Sequence, residues 1–248
     1  MKLSIVIIFC DKDRKYLESF LKNTEEKVTC SHEIILVDNR NDKTEKIELP
    51  YKTISPEKDC HILEGRRLGL DEAVGEYVWF VDVDDEILNG FTEEDLKDHH
   101  ETILQMNLKI NNKVIIELGE IKNNLACFGE NNWSRLYKTE KLKKFFEPIK
   151  RGLSLNNGED NLIFQAMKEA KDFERDFYIF QDKYRYNYII SRAAAAGEKR
   201  TPESIKRAII GEENLDYLFS FLKDKEERER ELQNLKRINN NLKEQLKE

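Results

Sequence analysis

The sequence predicts an α/β fold in which helices flank a mostly parallel central sheet, followed by a C-terminal helical extension. Short apolar runs rich in β-branched residues alternate with helical patterns over the first 85 residues, the order typical of a sheet built from βαβ units. These runs are nearly continuous, as expected for strands buried on both faces. From about residue 202 the chain has helical character and contains no further proline.

The first half of the chain supplies its elements in a regular order. Strands are predicted at residues 3–9 (LSIVIIF), 33–37 (EIILV), 51–54 and 77–81 (YVWFV), and helices at residues 12–23 and 63–74. Gly75 directly follows the second helix, where glycine commonly ends a helix. The alternation therefore predicts parallel strands joined by crossover helices.

The pattern changes after residue 100. A strand is predicted at residues 113–118, an irregular helix at 133–146, a regular helix at 161–170, and extended segments at 177–180 and 184–190. This half has an α+β character, and we expect it to complete the same domain.

The C-terminal segment, residues 201–248, is predicted to form a helical tail. Leucines and one asparagine recur at alternating spacings of three and four residues, at Leu232, Leu235, Asn239, Leu242 and Leu246. This is the spacing of a short coiled-coil seam with one polar position, which would join copies of the chain into a homo-oligomer. A solvated terminal helix is an equal alternative, because the seam covers barely two heptads.

Composition excludes several classes of protein. The 248 residues include 37% charged residues and carry a net charge of −7, so bulk electrostatics disfavour nucleic acid as a partner. The longest apolar run, residues 3–10, is far shorter than the roughly 20 residues that span a bilayer. The four cysteines are scattered without a CxxC pair, which suits a reducing cytoplasm.

Well-known catalytic signatures are absent from the sequence. It contains no GxSxG, Walker A, GxGxxG or HExxH motif. Serine hydrolases, P-loop NTPases and Rossmann dehydrogenases are therefore disfavoured, and the histidines show no zinc-binding spacing.

Acidic residues follow two of the predicted strands. Asp38 ends one strand, and Asp82, Asp84 and Asp85 follow another. Because ligands bind beyond the carboxyl ends of parallel strands, both groups are expected at one rim. Clustered carboxylates favour a hard divalent cation as counter-charge. The alternative is a helix start, with Asp85 and Glu86 in its first turn.

Two further segments carry candidate chemistry. Residues 157–160 (NGED) precede a predicted helix, so Glu159 and Asp160 are either ordinary capping residues or a general base. The segment from Lys183 to Arg207 holds seven basic residues against two acidic ones. It would meet substrate phosphates or an anionic membrane surface, or form a solvated basic face.

Together these pieces resemble the family-2 glycosyltransferases of GT-A fold. The motifs that carry the resemblance, in chain order, are residues 33–39 (EIILVDN), 65–70 (GRRLGL), 75–85 (GEYVWFVDVDD), 133–137 (WSRLY) and 158–160 (GED). The resemblance implies a GT-A domain over residues 1–200. Residues 1–100 would bind the nucleotide-sugar and residues 101–200 the acceptor.

The resemblance also implies roles for the residues of the first half. Asp38 would hydrogen-bond the nucleobase, and Arg66 would help to position the nucleotide. Asp82 would lie near the ribose and metal, while Asp84, with Asp85 alongside, would ligate Mn²⁺ or Mg²⁺ at the diphosphate.

The second half would supply the acceptor chemistry. Asp160, with Glu159 as the alternative, would deprotonate the acceptor hydroxyl, and Trp133 would contribute to the acceptor side. Arg185 and Arg192 would clamp the diphosphate. The implied reaction is inverting, metal-dependent transfer of a hexosyl or N-acetylhexosaminyl group from a UDP-sugar to a glycan or lipid-linked acceptor, in surface polysaccharide synthesis.

Three positions depart from the family pattern. The family's second aspartate after the second strand is Asn39, the asparagine of its ARN motif is Arg67, and no histidine follows His100 to supply a further metal ligand. Two other functions stay open: the charged C-terminal helix favours a nucleotide-sugar-binding or scaffolding subunit without transfer activity, and sugar nucleotidyltransferases also use parallel sheets with acidic metal sites. We expect a cytoplasmic protein, with peripheral contact at the inner face of the membrane as a further expectation.

Overall fold

The computed structural model describes most of the first half of the chain and selected parts of the second. The described residues are 1–44, 46–58, 60–110, 112–114, 134–147, 149, 151, 163, 177–189, 225–245 and 247.

Within these residues, nine strands form one sheet, accompanied by five α-helices and one short 3-10 helix (Asp11–Asp13). The strands are β1 (Leu3–Phe9), β2 (His32–Asp38), β3 (Lys52–Ile54), β4 (Tyr77–Asp82), β5 (Glu86–Ile87), β6 (Ile103–Ile110), β7 (Lys113–Val114), β8 (Arg135–Lys138) and β9 (Phe177–Tyr188). The helices are α1 (Arg14–Lys27), α2 (His61–Glu72), α3 (Glu93–Leu96), α4 (Thr139–Phe146) and α5 (Lys225–Gln245).

The sheet has a parallel half and a mixed half. Its strand order is β3-β2-β1-β4-β8-β6-β9-β5, with β7 paired to β6. The first four strands are all parallel, with α1 and α2 as the crossovers that parallel pairing requires. Strand β8 runs antiparallel to both β4 and β6, whereas β6 and β9 are parallel. The predicted α/β class is confirmed, and the parallel pairing dominates its first half.

Both faces of the sheet are apolar and covered. On β4, Val78 and Phe80 belong to the core on the face that carries α2 and α4. Tyr77, Trp79 and Val81 belong to the core on the opposite face, which α1 covers. Successive side chains of a strand point to opposite faces. Burial on both sides therefore explains why these strands are continuous apolar runs.

Two glycines allow backbone elements to approach closely. A Cβ at Gly69 of α2 would collide with the Val6 side chain of β1. Gly75 lies against the backbone of Ser4 and donates its N–H to the Ser4 hydroxyl at 2.8 Å. Helix α2 ends at Glu72, so Gly75 serves close packing rather than the predicted helix end.

Three predictions about secondary structure are corrected. Residues 135–138 were predicted as helix but form β8, and the helix begins only at Thr139. Asp85 and Glu86 do not start a helix: Asp85 lies in the turn after β4, and Glu86 is the first residue of β5. The two extended segments predicted near the end of the domain form one strand, β9.

Other predictions fall partly outside the described residues. The predicted strand at 113–118 is seen as β7 over its first two residues. Of the predicted helix at 161–170, only Ile163 is described, and its side chain is buried.

The C-terminal helix is confirmed as α5. Leu232 packs against the core that α2 and α4 cover, while Ile238 is 38% exposed. Residues 201–224 and the remaining seam side chains lie outside the described set. Among the described helices, none combines the length and apolar character needed to cross a membrane.

Candidate functional site

Two acidic strand ends flank the tip of β1. Phe9 pairs in register with Asp38 of β2, and Ile8 pairs with Asp82 of β4. The two aspartates are therefore two strands apart, about 10 Å, at the carboxyl edge of the parallel half. The expectation that both acidic groups share one rim is confirmed for these strand ends.

Asp38 is held by Arg40 in a buried ion pair. The Nε of Arg40 donates to Oδ1 of Asp38 at 2.9 Å, and Nη2 donates to Oδ2 at 3.0 Å. The backbone N–H of Arg40 also donates to Oδ1, at 3.2 Å. Only 6% of each side chain is exposed. Arg40 lies outside the motif that carried the resemblance, and its pairing was not predicted.

Asn39 connects the end of β2 to the start of α2. Its N–H donates to the Phe9 carbonyl at 2.9 Å, and its Oδ1 accepts the Cys60 N–H at 2.9 Å. The departure from the family's second aspartate therefore has a structural role, since the side chain satisfies a donor at the helix N-terminus.

A surface cavity opens beside this rim. It has a volume of about 620 Å³ and is lined by Asp11, Lys12, Arg14, Lys15 and Glu18 at the start of α1. The Asp11 carboxylate accepts the backbone N–H of Asn41 at 3.1 Å. This bond ties the loop after β1 to the loop after β2.

Arg66 lies on the α2 face of the sheet, close to the acidic end of β4. Its guanidinium stands over the ring of Phe80 at 5.6 Å, and the residue is 4% exposed. Phe80 precedes Asp82 by two residues, so both side chains project to the same face. The neighbouring Arg67 instead turns towards α4, where it stands over the Phe146 ring at 5.4 Å.

The turn that follows β4 is fixed by Tyr186 of β9. The Tyr186 hydroxyl accepts the Asp82 N–H at 3.1 Å and donates to Oδ2 of Asp85 at 2.8 Å. Oδ1 of Asp85 accepts the Ile189 N–H at 2.8 Å. Sequence reasoning missed Tyr186, because nothing in the local pattern signals a contact across 101 positions.

Asp85 does not fit the metal-ligand role expected for it. Both of its oxygens face inward to β9, and it is 4% exposed. Burial, followed by the charge of Asp82, raises the pKa of Asp85 well above its usual range despite the opposing hydrogen bonds. Burial, with the charge of Asp85, likewise raises the pKa of Tyr186.

Asp82 and Asp84, at the same turn, are partly buried. Their oxygens suit Mg²⁺ or Mn²⁺, and their combined negative charge is what raises the pKa of Asp85 beyond the effect of burial. The described residues contain no group of three or more potential metal ligands.

Arg185 does not fit the diphosphate clamp expected of it. It is fully buried, stands over the rings of Phe91 and Phe180 at 4.4 and 4.6 Å, and pairs with Asp95 at 2.9 Å. Lys183 also pairs with Asp95, at 3.8 Å. Arg185 therefore serves the packing of β9 against α3, whereas the Lys183 side chain is 46% exposed.

The remaining predicted site residues lie outside the described set. They are Trp133, Glu159, Asp160 and Arg192.

Comparison with known proteins identifies the family. The model for Glycosyl transferase family 2 matches residues 4–150, whereas no curated protein sequence gives a significant match. Among solved structures, S. aureus TarS 1-349 in complex with UDP is similar, with a TM-score of 0.63 and 20% identity over 94% of this chain and 69% of that one.

Two other TarS structures give the same result. The complex of TarS 1-349 with UDP-GlcNAc has a TM-score of 0.61 and 20% identity over 89% of this chain and 66% of that one. A further S. aureus TarS structure gives a TM-score of 0.61 and 23% identity over 90% of this chain and 44% of that one. The chain thus spans about two thirds of the TarS 1-349 structures, 65% in one of them, and less than half of this longer TarS chain.

These likenesses establish the fold, and the family model covers more than half of the sequence. The strand ends that this fold brings together are those of the motifs EIILVDN and GEYVWFVDVDD. The fold is GT-A, and the chain belongs to glycosyl transferase family 2.

Proposed function

We propose that this chain is an inverting, cation-assisted glycosyltransferase that moves a sugar from a UDP-sugar to a hydroxyl of a glycan or lipid-linked acceptor. The observation that carries the proposal is the register that sets Asp38 and Asp82 on either side of the β1 tip. A nucleotide lying across this rim would have its base near one carboxylate and its diphosphate near the other.

At the base end, Asp38 offers a fixed acceptor. The ion pair with Arg40 holds the carboxylate in one orientation, so little freedom is lost when a base N–H binds to it. Arg66, buried on the α2 face near Asp82, would contribute positive potential beneath the nucleotide.

At the diphosphate end, Asp82 and Asp84 would hold Mn²⁺ or Mg²⁺. When bound, such a cation stabilises the negative charge that grows on a departing nucleoside diphosphate. The role of the protein is to present the two carboxylates on a rigid turn, and the Tyr186 and Asp85 hydrogen bonds provide that rigidity.

The acceptor end rests on the sequence alone. Asp160, or Glu159 in its place, would take the proton of the attacking hydroxyl. A single base opposite the leaving group gives direct displacement, which inverts the anomeric centre. We further propose that the donor carries a hexose or N-acetylhexosamine and that the acceptor is of surface polysaccharide type. The proposed location is cytoplasmic.

A donor screen tests the proposal. Purified protein is incubated with a panel of UDP-sugars, with and without Mn²⁺, and release of UDP is measured. We expect release from at least one UDP-sugar that rises with Mn²⁺ and falls by about 100-fold or more in Asp84→Asn. Glu94→Gln, an exposed acidic residue of α3, is the matched control and should keep wild-type release.

Two outcomes would contradict the proposal. Binding of UDP without release of UDP from any donor, across a panel of acceptors, would instead favour a binding or scaffolding subunit. Wild-type rates in Asp84→Asn would show that this carboxylate does not hold the cation.

A further inference from the structure

The ion pair at the end of β2 leaves Asp38 with little capacity to accept further hydrogen bonds. A carboxylate has about four acceptor positions, two on each oxygen. The Arg40 backbone N–H and Nε fill both positions of Oδ1, at 3.2 and 2.9 Å. Arg40 Nη2 fills one position of Oδ2, at 3.0 Å. Among the contacts of the described residues, one acceptor position of Asp38 remains, on Oδ2.

The pairing is fixed in place. Two parallel N–H···O bonds between a guanidinium and a carboxylate define both the plane and the direction of the carboxylate. Each side chain is 6% exposed, which removes most of the competition from water. The arrangement needs arginine at this position, since a lysine ammonium is a point charge that does not form the fork.

Nucleobases differ in what they present to such a carboxylate. Guanine presents N1–H and N2–H side by side, and these two donors match the two oxygens of a free carboxylate. In this chain the Arg40 guanidinium already donates to both oxygens of Asp38. Uracil presents one imide N–H, which a single acceptor position satisfies completely.

On the basis of the proposed function, we propose that Arg40 is the residue that sets base selectivity. Arg40 acts on the base through Asp38. Because it donates to both carboxylate oxygens, it excludes the paired contact that guanine would make. It leaves free the one acceptor position that the uracil N3–H needs. Selectivity built by blocking the competitor's contacts is a common device of specific sites.

Calorimetric binding of UDP, GDP and UDP methylated at N3 of uracil tests this inference on the full chain. Wild type should bind UDP at least about tenfold more tightly than either of the others, the scale of one hydrogen bond to a charged group. Arg40→Gln makes both oxygens of the Asp38 carboxylate available to a base, so the ratio of UDP affinity to GDP affinity should fall by about tenfold. Arg40→Lys should also lower the ratio of UDP affinity to GDP affinity, because lysine does not form the two parallel hydrogen bonds. Arg151→Gln, which removes an exposed ion-paired arginine, should leave it unchanged.

The outcomes separate this inference from the proposed function. Equal affinity of wild type for UDP and its N3-methyl analogue overturns the inference, and so does an unchanged UDP preference in folded Arg40→Gln. If Arg40→Gln fails to fold, Arg40→Lys decides in its place, and an unchanged UDP preference in that variant overturns the inference. Absence of binding to any of the three nucleotides overturns the proposed function itself, and this inference with it.

Discussion

Asp95 of α3 accepts a hydrogen bond at 2.9 Å from Arg185 of β9, a residue 90 positions away. Arg185 is fully buried and also donates to the Gly90 carbonyl at 2.6 Å. The pair joins helix α3 to β9, the strand that carries Tyr186. It therefore holds in place the strand that fixes the acidic turn after β4.

Replacing Asp95 with asparagine should destabilise the protein. The change leaves the Arg185 guanidinium buried without its counter-charge, which costs about 3 kcal/mol. Urea unfolding at neutral pH measures the difference. Glu94→Gln, exposed and one residue away, should lie within about 0.5 kcal/mol of wild type. Equal stability of the two variants would contradict the structural role assigned to the pair.

The same pair should give stability an acid dependence. Burial opposes ionisation of Asp95, but hydrogen bonds from Arg185 and Thr92 outweigh it and lower the pKa of Asp95 to about 2. The carboxyl of an unfolded chain has a pKa of about 3.9. The contribution of Asp95 is therefore complete above about pH 4 and is lost as the pH falls towards 2.

Urea unfolding of wild type and Asp95→Asn between neutral pH and about pH 2 checks this dependence. The stability gap between them should be widest at neutral pH and should close only below about pH 4. A gap that is constant over the whole range would show that the Asp95 charge contributes nothing.

The sequence was sufficient to predict the strands of the parallel half of the sheet. Strands β1, β2 and β4 are covered on both faces, so each is a continuous apolar run, and β2 and β4 end at the acidic residues Asp38 and Asp82. Strand β6 was not predicted, because Gln105 and Asn107 interrupt it and its pairing with β9 is irregular at that point. Strand β8 was predicted as helix, because the amphipathic helix α4 follows it directly.

The partners of the candidate site residues could not be predicted from the sequence. Asp38, Asp82 and Asp84 were found because acidic residues at strand ends are visible in the chain. The contacts of Asp85 with Tyr186 and of Arg185 with Asp95 depend on sheet topology across 90 positions or more. Asp85 and Arg185 were therefore assigned ligand contacts, although the structure uses both residues to hold β9.

Removal of one hydroxyl should loosen the acidic turn. Tyr186→Phe deletes the hydrogen bond to Asp85 and the acceptor of the Asp82 N–H, which should lower the free energy of unfolding by about 2 kcal/mol. Because Asp82 and Asp84 lose their fixed geometry, Mn²⁺-stimulated release of UDP should also fall. Tyr178→Phe, at a ring that is 40% exposed, is the matched control. Full stability and activity in Tyr186→Phe would remove the role assigned to this hydroxyl.

Two glycines of α2 offer a test of how closely the helix approaches β1. Alanine gains about 1 kcal/mol of helix propensity over glycine at either position. At Gly69 the new Cβ would collide with Val6, a clash that costs about 2 kcal/mol or more. At Gly65 the new Cβ would lie 3.1 Å from the end of the Ile8 side chain, which can move. Thermal unfolding should therefore show Gly69→Ala less stable than Gly65→Ala, and the reverse order would contradict the packing of α2 on β1.

The proposed acceptor chemistry predicts that binding and catalysis separate at Asp160. Asp160→Asn removes the proposed base but leaves the nucleotide rim, so transfer should fall by about 100-fold or more while UDP affinity stays unchanged. Glu159→Gln in the same assays identifies which of the two acidic residues takes the proton. Asp71→Asn, which removes an exposed carboxylate paired with Arg151, controls for the loss of one negative charge. If Asp160→Asn and Glu159→Gln both transfer at the wild-type rate, the base is not in this segment. If Asp160→Asn instead weakens UDP binding, Asp160 belongs to the donor side of the reaction.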